Sequence, residues 1–312
     1  MDFISITDKK YAALVNLNAK LIGTLAPNSR YFVFDLDGST EVAALAQHAH
    51  VTRVAWQPEH WQRFDWIEEI SFADVAPDYS LKDEYRRINR AIRVAFGSEP
   101  KYDWMTSKKA FVDGKKRFAR VNSQKPFCIL DALQKTTESV IFLDADALLW
   151  QVPDFPLDGA DALFTIRRKE DIAVGYNTVF RQNRPLPYLA TNAGVLGFSN
   201  SDGARKLIYE WLTRLGQIRC LFTEQTALSL TLMSALPDTF AHIGECVELP
   251  LLDGSCAQVQ LVACDKFNNF YLNGAVAPPA NTTVAHYKGY LHGASMFDKI
   301  SALVDLRLAE VR

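Results

Sequence analysis

Residues 139–150 read Ser-Val-Ile-Phe-Leu-Asp-Ala-Asp-Ala-Leu-Leu-Trp, an apolar run that contains two aspartates separated by one alanine. The four apolar residues before Asp144 predict a strand that is buried on both faces, as in the middle of a parallel sheet. Side chains alternate along a strand, so we expect Asp144 and Asp146 on one side and Ala145 on the other. This stretch therefore predicts an α/β fold with a central sheet.

The two aspartates require a positively charged partner. Carboxylates in a dry core cost several kcal/mol each unless a positive charge pairs with them. A divalent cation is the expected partner, because oxygen ligands suit Mg²⁺ or Mn²⁺ bound together with phosphates. The alternative is a strand that ends in a polar turn, where one aspartate caps the next helix.

Composition indicates an ordinary globular protein of 312 residues, with 48% hydrophobic and 22% charged residues. The net charge of -2 gives no case for nucleic-acid binding. The five cysteines are an odd number without metal-site spacing, so we expect no disulfide framework and a reducing compartment. We find no signal peptide and no membrane-spanning stretch, so a cytoplasmic protein is expected. The basic runs at 115–117 and 167–169 are either solvated or in peripheral contact with an anionic membrane.

The order of apolar runs and helical patterns predicts parallel strands joined by helices. The predicted strands cover residues 3–7, 31–34, 51–56 and 195–198, and the predicted helices cover 11–25, 41–47, 81–96, 123–134, 202–215 and 223–233. Cys128 falls in a helical pattern and is expected in the core. The stretch 250–280 is rich in turns, and its short strands cannot be placed.

Six short motifs, taken in order, resemble the nucleotide-sugar glycosyltransferases of GT-A fold, in particular the family 8-like branch. They are Phe3 to Asp8, Lys125-Pro126, the Asp-x-Asp of Phe142 to Asp146, Thr191-Asn192-Ala193-Gly194-Val195, Thr223-Glu224-Gln225-Thr226-Ala227 and His286-Tyr287-Lys288-Gly289. Two departures stand out. The family often has Asp-Gln where this chain has Glu224-Gln225, and its C-terminal phosphate-binding lysine is missing after Gly289, with Lys288 as a possible substitute.

The resemblance implies a Rossmann-like GT-A domain over residues 1–312, with a nucleotide-binding half at about 1–150 and an acceptor-binding half at about 151–312. It implies transfer of a sugar from a nucleoside diphosphate sugar, most simply a UDP-sugar, to a hydroxyl of a carbohydrate, lipid-linked or protein acceptor, with retained anomeric configuration. The implied metal ligands are Asp144, Asp146 and His286, and the imidazole favours Mn²⁺ over Mg²⁺.

The remaining candidates each have a structural alternative. Residues expected to bind the donor or its diphosphate are Thr7, Asp8, Arg120, Lys125, Asp144, Ala145, Gly194, Lys288 and Gly289, and those expected at the reacting sugar are Asn192, Glu224 and Gln225. Thr7 and Asp8 could instead cap a helix, and Lys125 and Arg120 could be solvated. Residues 192–194 could form a plain turn, and Glu224 could simply favour a helix start. The aromatic residues Trp150, Tyr176 and Trp211 could stack on an acceptor sugar, but core positions are the better interpretation.

Two other functions remain open. Residues 35–40, Asp-Leu-Asp-Gly-Ser-Thr, resemble the loop of haloacid-dehalogenase-type phosphatases, in which Asp35 would be the nucleophile. A turn after the second strand accounts for Gly38 as well. The last alternative is a sugar-binding domain of the same fold that has lost turnover.

Overall fold

The computed structural model describes residues 1–76, 88, 107–171, 178–179, 184–185, 190–220, 222–270, 272, 276–287 and 294–311. The helix predicted at 81–96 falls outside these residues except for Ile88. Tyr176, Lys288 and Gly289 also lie outside them.

The strands alternate with helices along most of the chain. The strands are β1 (Asp2–Thr7), β2 (Tyr31–Asp35), β3 (Val51–Ala55), β4 (Val140–Leu143), β5 (Ala147–Leu149), β6 (Ala162–Ile166), β7 (Thr178–Val179), β8 (Arg184–Pro185), β9 (Thr191–Phe198), β10 (Cys246–Pro250), β11 (Cys256–Ala263) and β12 (Val284–His286). The helices are α1 (Ala12–Leu25), α2 (Thr40–Ala43), α3 (Asp65–Glu68), α4 (Phe72–Val75), α5 (Lys108–Ser123), α6 (Lys125–Lys135), α7 (Asp202–Gln217), α8 (Thr223–Ala235), α9 (Cys264–Phe267) and α10 (Ala294–Val311).

The main sheet has the strand order β10-β11-β6-β9-β4-β1-β2-β3. Strands β3, β2, β1 and β4 are parallel neighbours, and β6 is parallel to β11. Strand β9 is antiparallel to both β4 and β6, and β10 is antiparallel to β11. The predicted α/β fold, with a central and mostly parallel sheet flanked by helices, is confirmed.

Alternating side chains of the sheet form two apolar cores, one on each face. Phe3, Val33 and Ile141 pack on one face together with residues of α1 and α10. Their neighbours in sequence, including Ile4, pack on the other face with α6, α7 and α8. Burying each such side chain contributes about 1.5–3 kcal/mol, so a sheet apolar on both faces requires these two helical layers.

The structure corrects two local predictions. The strand before the aspartates ends at Leu143, and residues 144–146 form a turn rather than the end of a buried strand. Residues 147–149 belong to a separate two-stranded sheet with β12. The alternative of a plain turn at Asn192 and Gly194 is wrong, because both residues lie within the fully buried strand β9. In both places the local structure is decided by pairing with a strand that is distant in sequence.

Candidate functional site

The candidate site lies at the carboxyl edge of the main sheet, where ligands bind in open α/β sheets. Strands β1 and β4 end there at Thr7 and Leu143. Strand β9 runs the other way, so its beginning meets the same edge, and the amide of Asp144 donates to the carbonyl of Gly194 at 2.7 Å. A cleft of about 210 Å³ opens beside these strand ends. Its lining includes Thr7, Asp8, Tyr11, Phe118, Asn122, Lys125, Phe142, Asp144, Ala145 and Asp146.

Asp144, Asp146 and His286 form a cluster at this cleft, with one ligand atom of each within 4.8 Å of the others. The ring nitrogen Nε2 of His286 lies 3.0 Å from Oδ1 of Asp146 and 3.9 Å from Oδ2 of Asp144. Backbone pairing holds the histidine in place, since His286 lies opposite Ala147 in the β5–β12 sheet. One divalent cation could be shared by these two carboxylates and the imidazole, so the residues present fit the expected metal.

Gly194 allows the close approach that this cluster requires. A Cβ atom at this position would lie 2.4 Å from Cε1 and 2.8 Å from Nδ1 of His286, and 3.0 Å from Oδ2 of Asp144. The imidazole ring is 1% exposed and therefore has little room to move. A glycine is required here because the histidine ring occupies the space of a side chain.

Lys125, at the first position of α6, brings a buried positive charge to the aspartates. Its Nζ lies 2.9 Å from Oδ1 of Asp144 and 3.5 Å from Oε1 of Glu224, and it donates to the carbonyl of Ala193. Burial alone would lower the pKa of Lys125, but the carboxylates of Asp144 and Glu224 outweigh it and raise that pKa. The lysine is therefore charged, and its alternative as a solvated surface residue is excluded by its 5% exposure.

Glu224 is buried in the first turn of α8, and only one of its two carboxylate oxygens faces a charge. Its Oε1 faces Lys125, whereas its Oε2 is buried and has no hydrogen-bond partner among the described residues. Burial raises the pKa of Glu224 and Asp144 adds to the rise, although Lys125 opposes it. A buried acceptor without a donor costs stability, and a ligand hydroxyl would satisfy it.

Gln225 is hydrogen-bonded to the backbone of β9 at Ala193, the residue that follows Asn192. Oε1 of Gln225 accepts from Nη2 of Arg167 at 3.3 Å and from the amide of Ala193 at 3.4 Å. Oδ1 of Asn192 accepts from the amide of Gly194 at 3.2 Å. Both side chains are buried and lie at the edge that carries the metal cluster.

The remaining predicted residues divide into two groups. Thr7, Asp8 and Ala145 line the cleft, and Asp8 also forms an ion pair with Arg117 at 2.9 Å. Arg120 does not line the cleft, because its guanidinium forms a two-pronged ion pair with Glu68.

Sequence reasoning missed two residues of the site. Tyr11 lines the cleft, and burial together with Asp146, Asp8 and Asp144 raises its pKa to about 12. Asn268 is fully buried, and its Oδ1 lies 2.7 Å from Nδ1 of His286. Tyr11 follows the polar end of β1, which is a usable signal, whereas Asn268 lies in the turn-rich stretch and has none.

Asp35 and the tryptophans have structural roles and do not line the cleft. Asp35 is fully buried, accepts from the amides of Asp37 and Gly38, and pairs with Arg53, so its carboxylate is not available as a nucleophile. Trp150 and Trp211 are buried in the two apolar cores and are not positioned to stack on a sugar.

No protein-family model matches the chain, and no curated protein matches it by sequence. Among solved structures it is similar to the galactosyltransferase LgtC in complex with donor and acceptor sugar analogues. That similarity has a TM-score of 0.44 and 16% identity, and covers 98% of this chain and 96% of LgtC. An active-site mutant of LgtC, with glutamate in place of glutamine, gives a TM-score of 0.45 at 16% identity over the same shares of the two chains.

Proposed function

We propose that this chain is a metal-dependent glycosyltransferase that moves a sugar from a nucleoside diphosphate sugar, most simply a UDP-sugar, to a hydroxyl of a carbohydrate, lipid or protein acceptor. The observation that carries this proposal is the placement of Asp144, Asp146 and His286 beside a cleft at the carboxyl edge of the sheet. Two carboxylates and an imidazole at such an edge suit a divalent cation bound together with phosphates.

The leaving diphosphate would be stabilised by charge. Asp144, Asp146 and His286 would hold a divalent cation, Mn²⁺ in preference to Mg²⁺ because of the imidazole, and this cation would supply Lewis-acid stabilisation of that group. Lys125 adds a fixed positive charge, held by Asp144 and Glu224 at the base of the cleft. Thr7, Asp8 and Tyr11 line the cleft beside β1 and, in this proposal, contact the nucleoside.

The transferred sugar would lie between the metal cluster and the start of α8. A sugar hydroxyl can donate to the buried Oε2 of Glu224, for which the described residues supply no donor. Gln225 and the nearby Asn192 could contact the reacting face of the transferred sugar. Glu224 is engaged by Lys125 and is assigned to binding rather than to base catalysis. Retention of configuration is part of the proposal and follows from the family resemblance alone.

The test is a panel of nucleoside diphosphate sugars, assayed for release of the nucleoside diphosphate with and without Mn²⁺. We expect release with at least one UDP-sugar, and only with metal present. Asp146→Asn should lower this rate by at least about tenfold, because losing a ligand costs at least as much as losing an outer-shell partner. Asp253→Asn, at an exposed turn, is the matched control and should leave the rate unchanged.

Three outcomes would contradict the proposal. Release that does not depend on metal would remove the role of the cluster. Binding of UDP and Mn²⁺ without turnover of any donor would favour the non-catalytic sugar-binding domain. Hydrolysis of small phosphate esters that is lost in Asp35→Asn and kept in Asp146→Asn would favour the phosphatase.

A further inference from the structure

The imidazole of His286 has a different partner at each ring nitrogen. Nδ1 lies 2.7 Å from Oδ1 of Asn268, and Nε2 lies 3.0 Å from Oδ1 of Asp146. A neutral imidazole carries its proton on only one nitrogen, and only the other nitrogen can bind a metal. Which nitrogen is free depends on how the amide of Asn268 is oriented.

Two neighbours fix that amide. Its Nδ2 donates to Oγ1 of Thr165 at 3.0 Å and to the carbonyl of Asn192 at 3.3 Å. A backbone carbonyl can only accept. The hydroxyl of Thr165 already gives its own proton to the Asn192 or Val195 carbonyl, at 2.8 Å and 3.1 Å, so it also accepts from Asn268.

The opposite orientation would place the side-chain carbonyl of Asn268 against these acceptors. Asn268 and Thr165 are fully buried, so no bulk water is present to relieve that repulsion. The amide nitrogen therefore faces Thr165 and Asn192, and Oδ1 of Asn268 faces the histidine. Because this oxygen can only accept, its contact with the ring requires a proton on Nδ1. The carboxylate of Asp146 accepts as well, so Nε2 is without a proton where a cation takes the place of that proton.

We infer that Asn268 is a positioning residue that holds His286 in the tautomer with a free Nε2, the atom that faces both aspartates. A lone pair on Nε2 beside the carboxylate of Asp146 is repulsive until a cation lies between them, so the tautomer makes the histidine a metal ligand. The inference rests on the proposed function, and it extends the site to Asn268 and Thr165.

The inference is tested on three single variants of the full chain. Asn268→Leu removes the acceptor at similar volume. Thr165→Val removes the hydroxyl that orients the amide and keeps the shape of the side chain. Thr231→Val makes the same change at another buried threonine, whose hydroxyl donates to the carbonyl of Ala227 within α8, and serves as the control.

Two readouts separate positioning from simple structural support. The affinity for Mn²⁺ is measured from the electron paramagnetic resonance signal of the free ion. The protonated ring nitrogen is read from the nitrogen chemical shifts of ¹⁵N-histidine-labelled protein loaded with Zn²⁺. Thermal melts of all variants show whether each is folded.

We expect the proton of His286 on Nδ1, with none on Nε2, in the wild type loaded with Zn²⁺. Asn268→Leu should bind Mn²⁺ about 10- to 100-fold more weakly, the usual cost of losing an outer-shell partner. Thr165→Val should bind Mn²⁺ more weakly than Thr231→Val does, and its His286 should be a mixture of the two tautomers. The inference therefore remains testable if Asn268→Leu does not fold.

A proton on Nε2 in the Zn²⁺-loaded wild type would overturn the inference, and so would a folded Asn268→Leu variant with wild-type affinity for Mn²⁺. These outcomes differ from failure of the proposed function. A protein with the expected tautomer and expected Mn²⁺ binding, but without turnover of any sugar donor, supports the role of Asn268 and refutes the transfer reaction.

Discussion

At the scale of single residues, the site depends on two unusual packing arrangements. Gly194 leaves room for the imidazole of His286, and Glu224 is buried with one oxygen lacking a partner among the described residues. Both arrangements cost stability or restrict the sequence, as expected where a site binds a ligand. Each leads to a prediction that separates function from folding.

Gly194→Ala should lower the affinity for metal while the protein stays folded. The new Cβ would lie 2.4 Å from Cε1 of His286, and that ring is buried and held by Asn268. The ring must therefore shift away from Asp146. We expect at least about a tenfold loss of Mn²⁺ affinity, by analogy with loss of an outer-shell partner. Titration calorimetry with Mn²⁺ and a thermal melt measure the two effects.

Gly197→Ala in the same strand is the matched control for that variant. Its Cβ would lie 3.0 Å from a methyl of Leu157 and 3.1 Å from atoms of Ile141 and Leu163, all of them in the core. We expect lower stability with unchanged Mn²⁺ affinity. Equal Mn²⁺ affinities in Gly194→Ala and wild type would show that the ring does not need this space.

Glu224→Gln should gain stability relative to the wild type as pH rises above about 4.5. Burial raises the pKa of Glu224 above its ordinary value of 4.5. A carboxyl with a raised pKa in the folded state binds protons more tightly when folded. Its contribution to stability is complete below the unfolded pKa and is lost as pH rises through the folded pKa. The glutamine variant has no such loss, and Lys125 keeps Asp144 as its partner.

The expected gain is about 1.4 kcal/mol for each pH unit by which the folded pKa of Glu224 exceeds its unfolded pKa. Urea unfolding of both proteins between about pH 4 and 8 measures it. The same substitution at the exposed Glu59 controls for removal of a surface carboxylate. A difference in unfolding free energy that stays constant with pH would contradict the assigned cost of burial.

At the scale of elements, the sequence predicts what is local and misses what depends on distant pairing. Strands β1 and β2 were predictable because continuous apolar runs mark strands buried on both faces. The predicted helix at 123–134 is close to α6, but α5 precedes it as a separate helix that ends at Ser123. Pro126 near the start of α6 is a typical helix-start signal.

The site was predicted from its motifs, but its geometry was not. The turn at 144–146 follows from the pairing of β5 with β12, and Val284 to His286 lie far along the chain from their partners. Asn268 comes from a stretch without a clear pattern and approaches His286 only in the folded chain. The periodicity of apolar residues in the sequence predicts which side chains are buried, but it does not predict which strands pair.

Helix α10 closes the core beside β5 and should be required for stability. Ile300 is 1% exposed and packs in the same apolar core as α1, and Arg307 donates to the carbonyl of Trp150 directly after β5. We expect Ile300→Ala to lower the free energy of unfolding by about 2–5 kcal/mol, measured by urea denaturation. Leu306→Ala, at a site 64% exposed in the same helix, should change it by less than about 0.5 kcal/mol. Similar effects of both changes would mean that α10 does not pack as described.

At the scale of the whole molecule, helices cover both faces of the main sheet, and a hairpin forms the edge that ends in β10. Strands β10 and β11 form that antiparallel hairpin at one end of the main sheet. None of the helices that the structure describes is long and apolar enough to cross a membrane. The five cysteines differ in exposure. Cys128, Cys220 and Cys264 are buried, whereas Cys246 and Cys256 on the hairpin are exposed.

Thiol reactivity should therefore divide the five cysteines into two that react fast and three that react slowly. Burial raises the pKa of Cys128 well above its usual value, and a buried thiol is also out of reach of a reagent. We expect a disulfide reagent such as DTNB to modify Cys246 and Cys256 in the native protein, faster as pH rises, and the other three only in guanidinium. A double variant, Cys246→Ser with Cys256→Ser, should show no fast phase. A third fast thiol in the native wild type would mean that one of the two helical layers opens readily, and it would contradict the close packing on both faces of the sheet.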